Sequence, residues 1–160
     1  MKKIFFIVIL ALAMGCSDKT VELSDAEQLA KDIETIDAWL TANNITAQTD
    51  PSGLRYVITT TGTGVKPKIT NTVSAKYTGK FLKDKVLPAN STVFDQSTTA
   101  ISFKLTDVIV GWQIGMQLLP KGSKATLYIP SGLAYGKQGF GSAIPGNANL
   151  FFEVELVDVK

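Results

Sequence analysis

The chain reads Val73-Ser74-Ala75-Lys76-Tyr77-Thr78-Gly79-Lys80-Phe81 near its middle, and this stretch determines the fold class. Every second residue, counted from the valine, is apolar or glycine, and the residues between them are polar or charged. Such a period of two is typical of an antiparallel strand with one buried face and one solvated face. The stretch therefore predicts a sheet with one face against a core.

Other segments of the chain show the same strand pattern. They are residues 54–59, 93–94, 101–105, 125–129 and 150–156. One further apolar segment, Gly111 to Leu119, has the length of a short helix, which Pro120 and Gly122 would end. Many strands with one short internal helix predict an α+β domain with an antiparallel sheet.

A second helix is predicted near the N-terminus. Ser24-Asp25-Ala26-Glu27 has the spacing of a capping box, and Asn43-Asn44 would end the helix. Leu29, Ile33, Ile36 and Leu40 recur at helical spacing. Residues 18–50 hold eight acids and two lysines, whereas residues 51–160 hold twelve bases and six acids. Either the acidic helix is solvated, or it docks on its own domain or on a second copy.

The residue types that the chain lacks exclude several classes of protein. It has no histidine and one cysteine, so a Ser-His-Asp or Cys-His site and a zinc site of His or paired Cys are excluded. No glycine-rich phosphate loop opens a helix. Without Lys2 and Lys3 the 16 bases become 14 and balance the 14 acids, so no nucleic-acid partner is expected. We expect any chemistry to proceed with neither cofactor nor metal.

The first sixteen residues have the layout of an export signal. A basic start, Met1-Lys2-Lys3, precedes ten apolar residues, which are too few to span a membrane. The ending Leu12-Ala13-Met14-Gly15-Cys16 resembles a bacterial lipobox, in which the cysteine is acylated. A plain signal peptide with an incidental cysteine is the alternative. We predict a signal peptide at 1–15, a tether and helix at 16–50 and a folded domain at 51–160, lipid-anchored on the periplasmic face or outer membrane of a bacterium.

Aromatic and aliphatic residues gather at the junctions of the predicted elements, where they could form either a core or a ligand pocket. A resemblance distinguishes the two. Six blocks, in order along residues 54–160, resemble the signatures of FKBP-type peptidyl-prolyl cis-trans isomerases. The blocks are Tyr77-Thr78-Gly79, Phe94-Asp95-Gln96-Ser97, Val108-Ile109-Val110-Gly111-Trp112, Leu118 to Lys124, Ile129 to Gly136, and Ile144-Pro145 through Leu156.

The resemblance implies a sheet of five to six strands curled around the short helix, and it implies a pocket. Trp112 resembles the pocket floor, and the Ile109 N–H and Tyr135 hydroxyl resemble donors to ligand carbonyls. Asp95 resembles an acid beside Tyr77, expected to be buried and bonded to Tyr77 or to a backbone N–H. The resemblance further implies the walls Tyr77, Phe94, Val108, Ile109 and Phe152 and the overhanging Phe140 and Ile144. It implies a catalytic role for Tyr77, Asp95 and Tyr135.

The implied activity is rotation about X-Pro bonds in exported polypeptides, with FK506-like macrolides as further ligands. An apolar pocket suits it, because the twisted amide is less polar than the planar one. Two departures from the family pattern are the extra loop 83–90 and the lack of an arginine in the segment 96–100. They leave open a chaperone or scaffold lipoprotein with weak or no isomerase activity.

A monomer is slightly favoured over a dimer.

Overall fold

The structure is a computed structural model that describes residues 23–82 and 91–160. The predicted signal peptide at 1–15, the lipidation site Cys16, the tether as far as residue 22 and the extra loop 83–90 lie outside the described residues. No helix in the described part of the chain is long and apolar enough to cross a membrane.

Helix α1, Asp25–Ala42, forms where the sequence predicts it. The hydroxyl of its N-cap, Ser24, accepts a bond of 3.3 Å from the Glu27 N–H, and the Glu27 carboxylate accepts one of 2.8 Å from the Ser24 N–H. This reciprocal pair satisfies two N–H groups that a helix start leaves open. Asn43 is the C-cap, so both predicted ends are confirmed.

Six antiparallel strands form one sheet in the order β1-β2-β5-β6-β3-β4. Their bounds are β1 Gln48–Thr49, β2 Arg55–Thr60, β3 Thr72–Phe81, β4 Val93–Lys104, β5 Lys124–Ile129 and β6 Leu150–Val159. The predicted α+β class is confirmed. Two details differ from the predicted strands: β1 lies in a segment for which no strand was predicted, and β4 is one long strand where two short ones were expected. The middle of β4 is polar because this edge strand is largely exposed, so it carries no alternating pattern.

Helix α2, Val110–Leu118, lies close against the inner face of the sheet. A Cβ on Gly111 would come within 2.5 Å of Ile129 Cγ2, and one on Gly115 within 2.6 Å of Leu127 Cδ1. Only glycine allows the helix to approach β5 so closely. The main core forms here, and its fully buried side chains include Leu54, Leu105, Met116, Leu119, Leu127, Ile129, Leu150 and Leu156.

Helix α1 packs on the outer face of the same sheet and forms a second core. The Trp39 ring lies 5.8 Å from that of Tyr128 and 5.5 Å from that of Phe151, measured between centroids. The other buried residues of this core are Ile36, Leu40 and Leu82. The two alternatives left open by the sequence are thereby decided, because α1 docks on its own domain. The guanidinium of Arg55 adds two bonds, of 2.8 and 2.9 Å, to the Asp37 carboxylate.

Candidate active site

A cavity of about 370 Å³ opens between the start of α2 and strands β3, β4 and β6. Its lining is mainly aromatic and aliphatic, with a few polar groups, as is usual for a small-molecule or peptide site. The lining residues are Tyr77, Phe94, Asp95, Phe103, Asp107, Val108, Ile109, Trp112, Tyr135, Phe140 and Phe152.

Trp112 lies in the first turn of α2, and three aromatic rings surround its indole. The centroid distances are 5.2 Å to Tyr77, 5.5 Å to Phe103 and 5.4 Å to Phe152, with interplanar angles of 88°, 75° and 87°. Edge-to-face packing of this kind is favourable and rigid. The indole is 4% exposed, and its Nε1–H has no hydrogen-bond acceptor among the described residues. The result is a flat and mainly apolar surface at the base of the cavity.

The phenol of Tyr77 donates a hydrogen bond of 2.8 Å to the carboxylate of Asp95. This was one of the two partners that the sequence predicted for the acid. The prediction that Asp95 is buried is wrong, however, because the residue is exposed at the cavity mouth on edge strand β4. Burial, followed by the bond to Asp95 and by the charge of that carboxylate, raises the pKa of Tyr77 to about 12. Tyr77 therefore stays a neutral donor at physiological pH.

Two further hydrogen-bond donors belong to residues that line the cavity. The Ile109 residue is the N-cap of α2, and its backbone N–H makes no hydrogen bond within the part of the chain that the structure describes. Tyr135 follows the 3-10 turn Ser131–Leu133, and its ring lies 5.3 Å from that of Phe140. Burial and then the charge of Asp95 raise the pKa of Tyr135. Both groups can therefore donate to carbonyl oxygens of a ligand.

Comparison with known proteins identifies this arrangement. The family model described as FKBP-type peptidyl-prolyl cis-trans isomerase matches residues 63–157. A solved structure of a peptidyl-prolyl cis-trans isomerase from Pseudomonas syringae pv. tomato has 30% identity and a TM-score of 0.69, covering 87% of this chain and 98% of that one. The chain belongs to the FKBP family.

Three further similar proteins come from bacteria. The Escherichia coli FkpA structure is similar at 32% identity and a TM-score of 0.68, over 87% of this chain and 74% of that one. FkpA of Aeromonas hydrophila is 45% identical over 112 residues, which are 68% of this chain and 39% of that protein. "Outer membrane protein MIP" of Legionella longbeachae is 39% identical over 113 residues, 69% of this chain and 46% of that protein. The chain thus spans about two fifths of the length of its curated FKBP relatives.

The structure brings together nearly all of the residues that the FKBP resemblance implied. Of those ten residues, only Ile144 is not in the lining of the cavity. Its side chain is 4% exposed and belongs to the main core, while its backbone pairs with that of Phe140. Ile144 therefore supports the overhanging Phe140 through the backbone and does not itself line the cavity.

Two lining residues were not predicted. Phe103 lies on β4 opposite Val73, and Asp107 directly precedes Val108. Phe103 falls within a segment predicted as a strand, so its place beside Trp112 depends on pairing with β3, which residue spacing alone does not show. Among the described residues, no cluster of His, Cys, Asp or Glu could hold a metal ion.

Proposed function

We propose that this chain is a peptidyl-prolyl cis-trans isomerase that binds X-Pro segments of polypeptides in the cavity without covalent chemistry. The observation that supports it best is the composition of the cavity, in which an aromatic floor and walls surround two carbonyl-directed donors. This composition fits a reaction in which no bond breaks. The X-Pro barrier arises from amide resonance and is about 18–20 kcal/mol, so catalysis needs only to favour the twisted amide.

The floor and walls favour the twisted amide through their low polarity. The planar amide has charge separated between oxygen and nitrogen, and it loses that separation as the bond rotates. An apolar surface such as that of Trp112, Tyr77 and Phe152 disfavours the charge-separated planar amide more than the twisted one. The surface is therefore complementary to the transition state. The proline ring rests on the indole in this proposal.

The donors fix the chain on either side of the rotating bond. The Ile109 N–H and the Tyr135 hydroxyl hold carbonyl oxygens, so that the rest of the peptide stays still while one bond turns. Tyr77 and Asp95 keep the mouth of the cavity in shape through their bond of 2.8 Å. No lysine or arginine within residues 23–82 and 91–160 forms an ion pair with Asp95. The Tyr77 hydroxyl is the hydrogen-bond partner of Asp95, in place of the arginine that the segment 96–100 lacks.

A protease-coupled assay with a proline-containing peptide tests this proposal. The wild type should accelerate isomerisation, and an FK506-like macrolide should compete with the peptide. Tyr135→Phe should lower kcat/KM about fivefold to tenfold, the equivalent of one lost hydrogen bond. The matched control is Asp158→Asn, which removes a surface contact to Lys121 outside the cavity. A wild type at the background rate, unaffected by the macrolide, would favour the chaperone or scaffold alternative.

We also propose that the protein is exported and anchored by a lipid on Cys16. The support is the basic start, the ten apolar residues and the position of the single cysteine. Labelled palmitate should appear in the wild type and not in Cys16→Ser, and label in neither protein would contradict the anchor.

A monomer is the proposed state, because the apolar side of α1 is already covered by its own domain. Light scattering should give the mass of one chain. A mass of two chains, reduced to one by substitutions in α1, would contradict it.

A further inference from the structure

Asp32 is a buried acid on α1 that lies outside the cavity. Its carboxylate is 2% exposed and accepts three hydrogen bonds. Oδ2 accepts from the backbone N–H of Ser131 at 2.8 Å and from its hydroxyl at 2.5 Å, and Oδ1 accepts from the Gln28 amide at 2.7 Å. A carboxylate removed from water is costly unless such donors compensate it. An acid on the solvent-exposed side of α1 would have avoided this cost. The burial of Asp32 therefore calls for an explanation.

The bonds of Asp32 continue along the backbone to Tyr135. Ser131 begins the 3-10 turn that precedes Tyr135, and its carbonyl accepts a bond of 3.0 Å from the Ala134 N–H. The Ser131 N–H is also 3.1 Å from the side-chain oxygen of Asn149. Asp32 therefore fixes the first residue of the segment by two bonds, and that residue fixes the neighbour of Tyr135.

Backbone support matters for Tyr135 because its side chain is only partly buried against the main core. It lines the cavity of about 370 Å³ and also a second one of about 750 Å³, between the start of α1 and residues 131–138. Its aromatic neighbour, Phe140, is itself 62% exposed. A half-buried side chain that lines two cavities therefore depends on the backbone that carries it as well as on its packing.

We propose that Asp32 is a positioning residue for the isomerase site, which holds the Tyr135 hydroxyl in place through Ser131. The inference rests on the proposed function, since Tyr135 is the group that meets the substrate carbonyl. It assigns helix α1 a role in catalysis in addition to its role in the second core. A misplaced donor weakens binding of the transition state more than binding of the ground state. A substitution of Asp32 should therefore lower kcat and change KM little.

The matched control for this proposal is Asp37→Ala. Asp37 lies five residues further along α1 and joins the helix to the domain through Arg55 on β2. It has no bond to the 131–135 segment. Asp37→Ala therefore removes a charged contact of α1 and removes no hydrogen bond to residues 131–135.

The experiment is a double-mutant cycle in the full chain, with kcat/KM for a proline peptide as the readout. Asp32→Asn should lower kcat/KM about fivefold, no more than the loss of the Tyr135 hydroxyl itself, whereas Asp37→Ala should leave it within about twofold. In a Tyr135→Phe background the effect of Asp32→Asn should shrink to less than about twofold, since the group that it positions is gone. Equal losses in both backgrounds, or equal losses for the Asp32 and Asp37 variants, would overturn the proposal.

Hydrogen exchange of the Ser131 and Ala134 amides gives a readout that does not need activity. Asp32→Asn should speed both exchange rates, and Asp37→Ala should not. If Asp32→Asn does not fold, Ser131→Ala replaces it, because it removes one of the three bonds and should speed the exchange of the Ala134 amide. A wild type without isomerase activity would refute the proposed function, and the exchange rates would still decide whether Asp32 fixes the segment. Unchanged exchange would refute the positioning role itself.

Discussion

The Tyr77 hydroxyl and the Asp95 carboxylate are joined by a hydrogen bond of 2.8 Å across two neighbouring strands. Asp95 on β4 stands opposite Gly79 on β3, and Tyr77 lies two residues before that glycine, so both side chains leave the same face of the sheet. The glycine has no side chain to separate them, and the phenol reaches the acid along the diagonal. The bond therefore joins β3 to β4 at the mouth of the cavity.

Asp95→Asn should lower the pKa of Tyr77 without restoring its ordinary value. Burial is the largest cause of the rise from 10.0 to about 12, and the bond and charge of Asp95 come after it. Removing the charge leaves burial in place, so Tyr77 should ionise between those two values. Tyr135 should shift downward as well, because Asp95 also raises its pKa. Phenolate absorbance followed against pH measures both, with Tyr77→Phe to assign the signal; a curve that superimposes on the wild type would contradict this.

The free energy of unfolding should fall in alkaline solution, partly through Tyr128. Burial and then the charge of Glu153 raise the pKa of this phenol from 10.0 to about 12. Above pH 10.0 the Tyr128 phenol loses its proton in the unfolded chain before it does so in the folded chain. The stability that Tyr128 contributes is therefore complete below pH 10.0 and is lost as the pH rises towards about 12. Tyr128→Phe cannot ionise and should lose less stability over this window. Urea unfolding at both ends of the window measures the difference, and equal losses would count against the assignment.

Trp39→Ala should destabilise the protein by about 3–5 kcal/mol, as is usual for a large buried aromatic residue. The side chain is 3% exposed and packs between Tyr128 and Phe151. Asp37→Ala, which removes a half-exposed ion pair on the same helix, should cost only about 0–1 kcal/mol. Circular dichroism during urea unfolding compares the two variants. A loss below about 1 kcal/mol for Trp39→Ala would mean that α1 does not dock in solution.

Gly79→Ala should weaken substrate binding by displacing two walls of the cavity. The new Cβ would lie 2.7 Å from Phe152 Cε1 and 2.8 Å from Phe94 Cζ, so both rings must move. KM for the proline peptide should rise severalfold, because the displaced rings of Phe94 and Phe152 narrow the space in which the peptide binds. Gly132→Ala is the control, because no atom lies within 4 Å of its Cβ position. A KM equal to that of the wild type would show that the rings yield without changing the cavity.

Local sequence signals predicted the elements with strong local causes. The capping box at Ser24 gave the start of α1, and the period of two gave β3. The acids were harder, because their burial depends on distant partners. From the sequence, Asp32 is not distinguishable from the other acids of the helix, which could all be solvated. In the structure it is hydrogen-bonded to Ser131, which is 99 residues away. Asp95 was expected to be buried and is exposed, because β4 is an edge strand of the sheet formed by residues 23–82 and 91–160.

The candidate site could be predicted only through resemblance, since its walls come from distant parts of the chain. Tyr77 and Phe152 are brought together by the pairing of β3 with β6, and Trp112 joins them from α2. The spacing of these residues along the chain does not indicate that Tyr77, Trp112 and Phe152 are in contact. Phe103 shows the limit of resemblance as well, because it lies outside the matching blocks and still contacts the Trp112 ring at 5.5 Å.

The covering of the sheet on both faces has an evolutionary consequence. Leu150, Phe151 and Phe152 are three consecutive buried residues, with Phe152 turned towards the cavity and Phe151 towards α1. A continuous apolar run of this kind is what a strand needs when both of its faces are covered. A descendant that lost α1 would have to replace Tyr128 and Phe151 with polar residues to remain soluble. The helix and the domain are therefore expected to be inherited together, and these two positions should tell which family members carry such a helix.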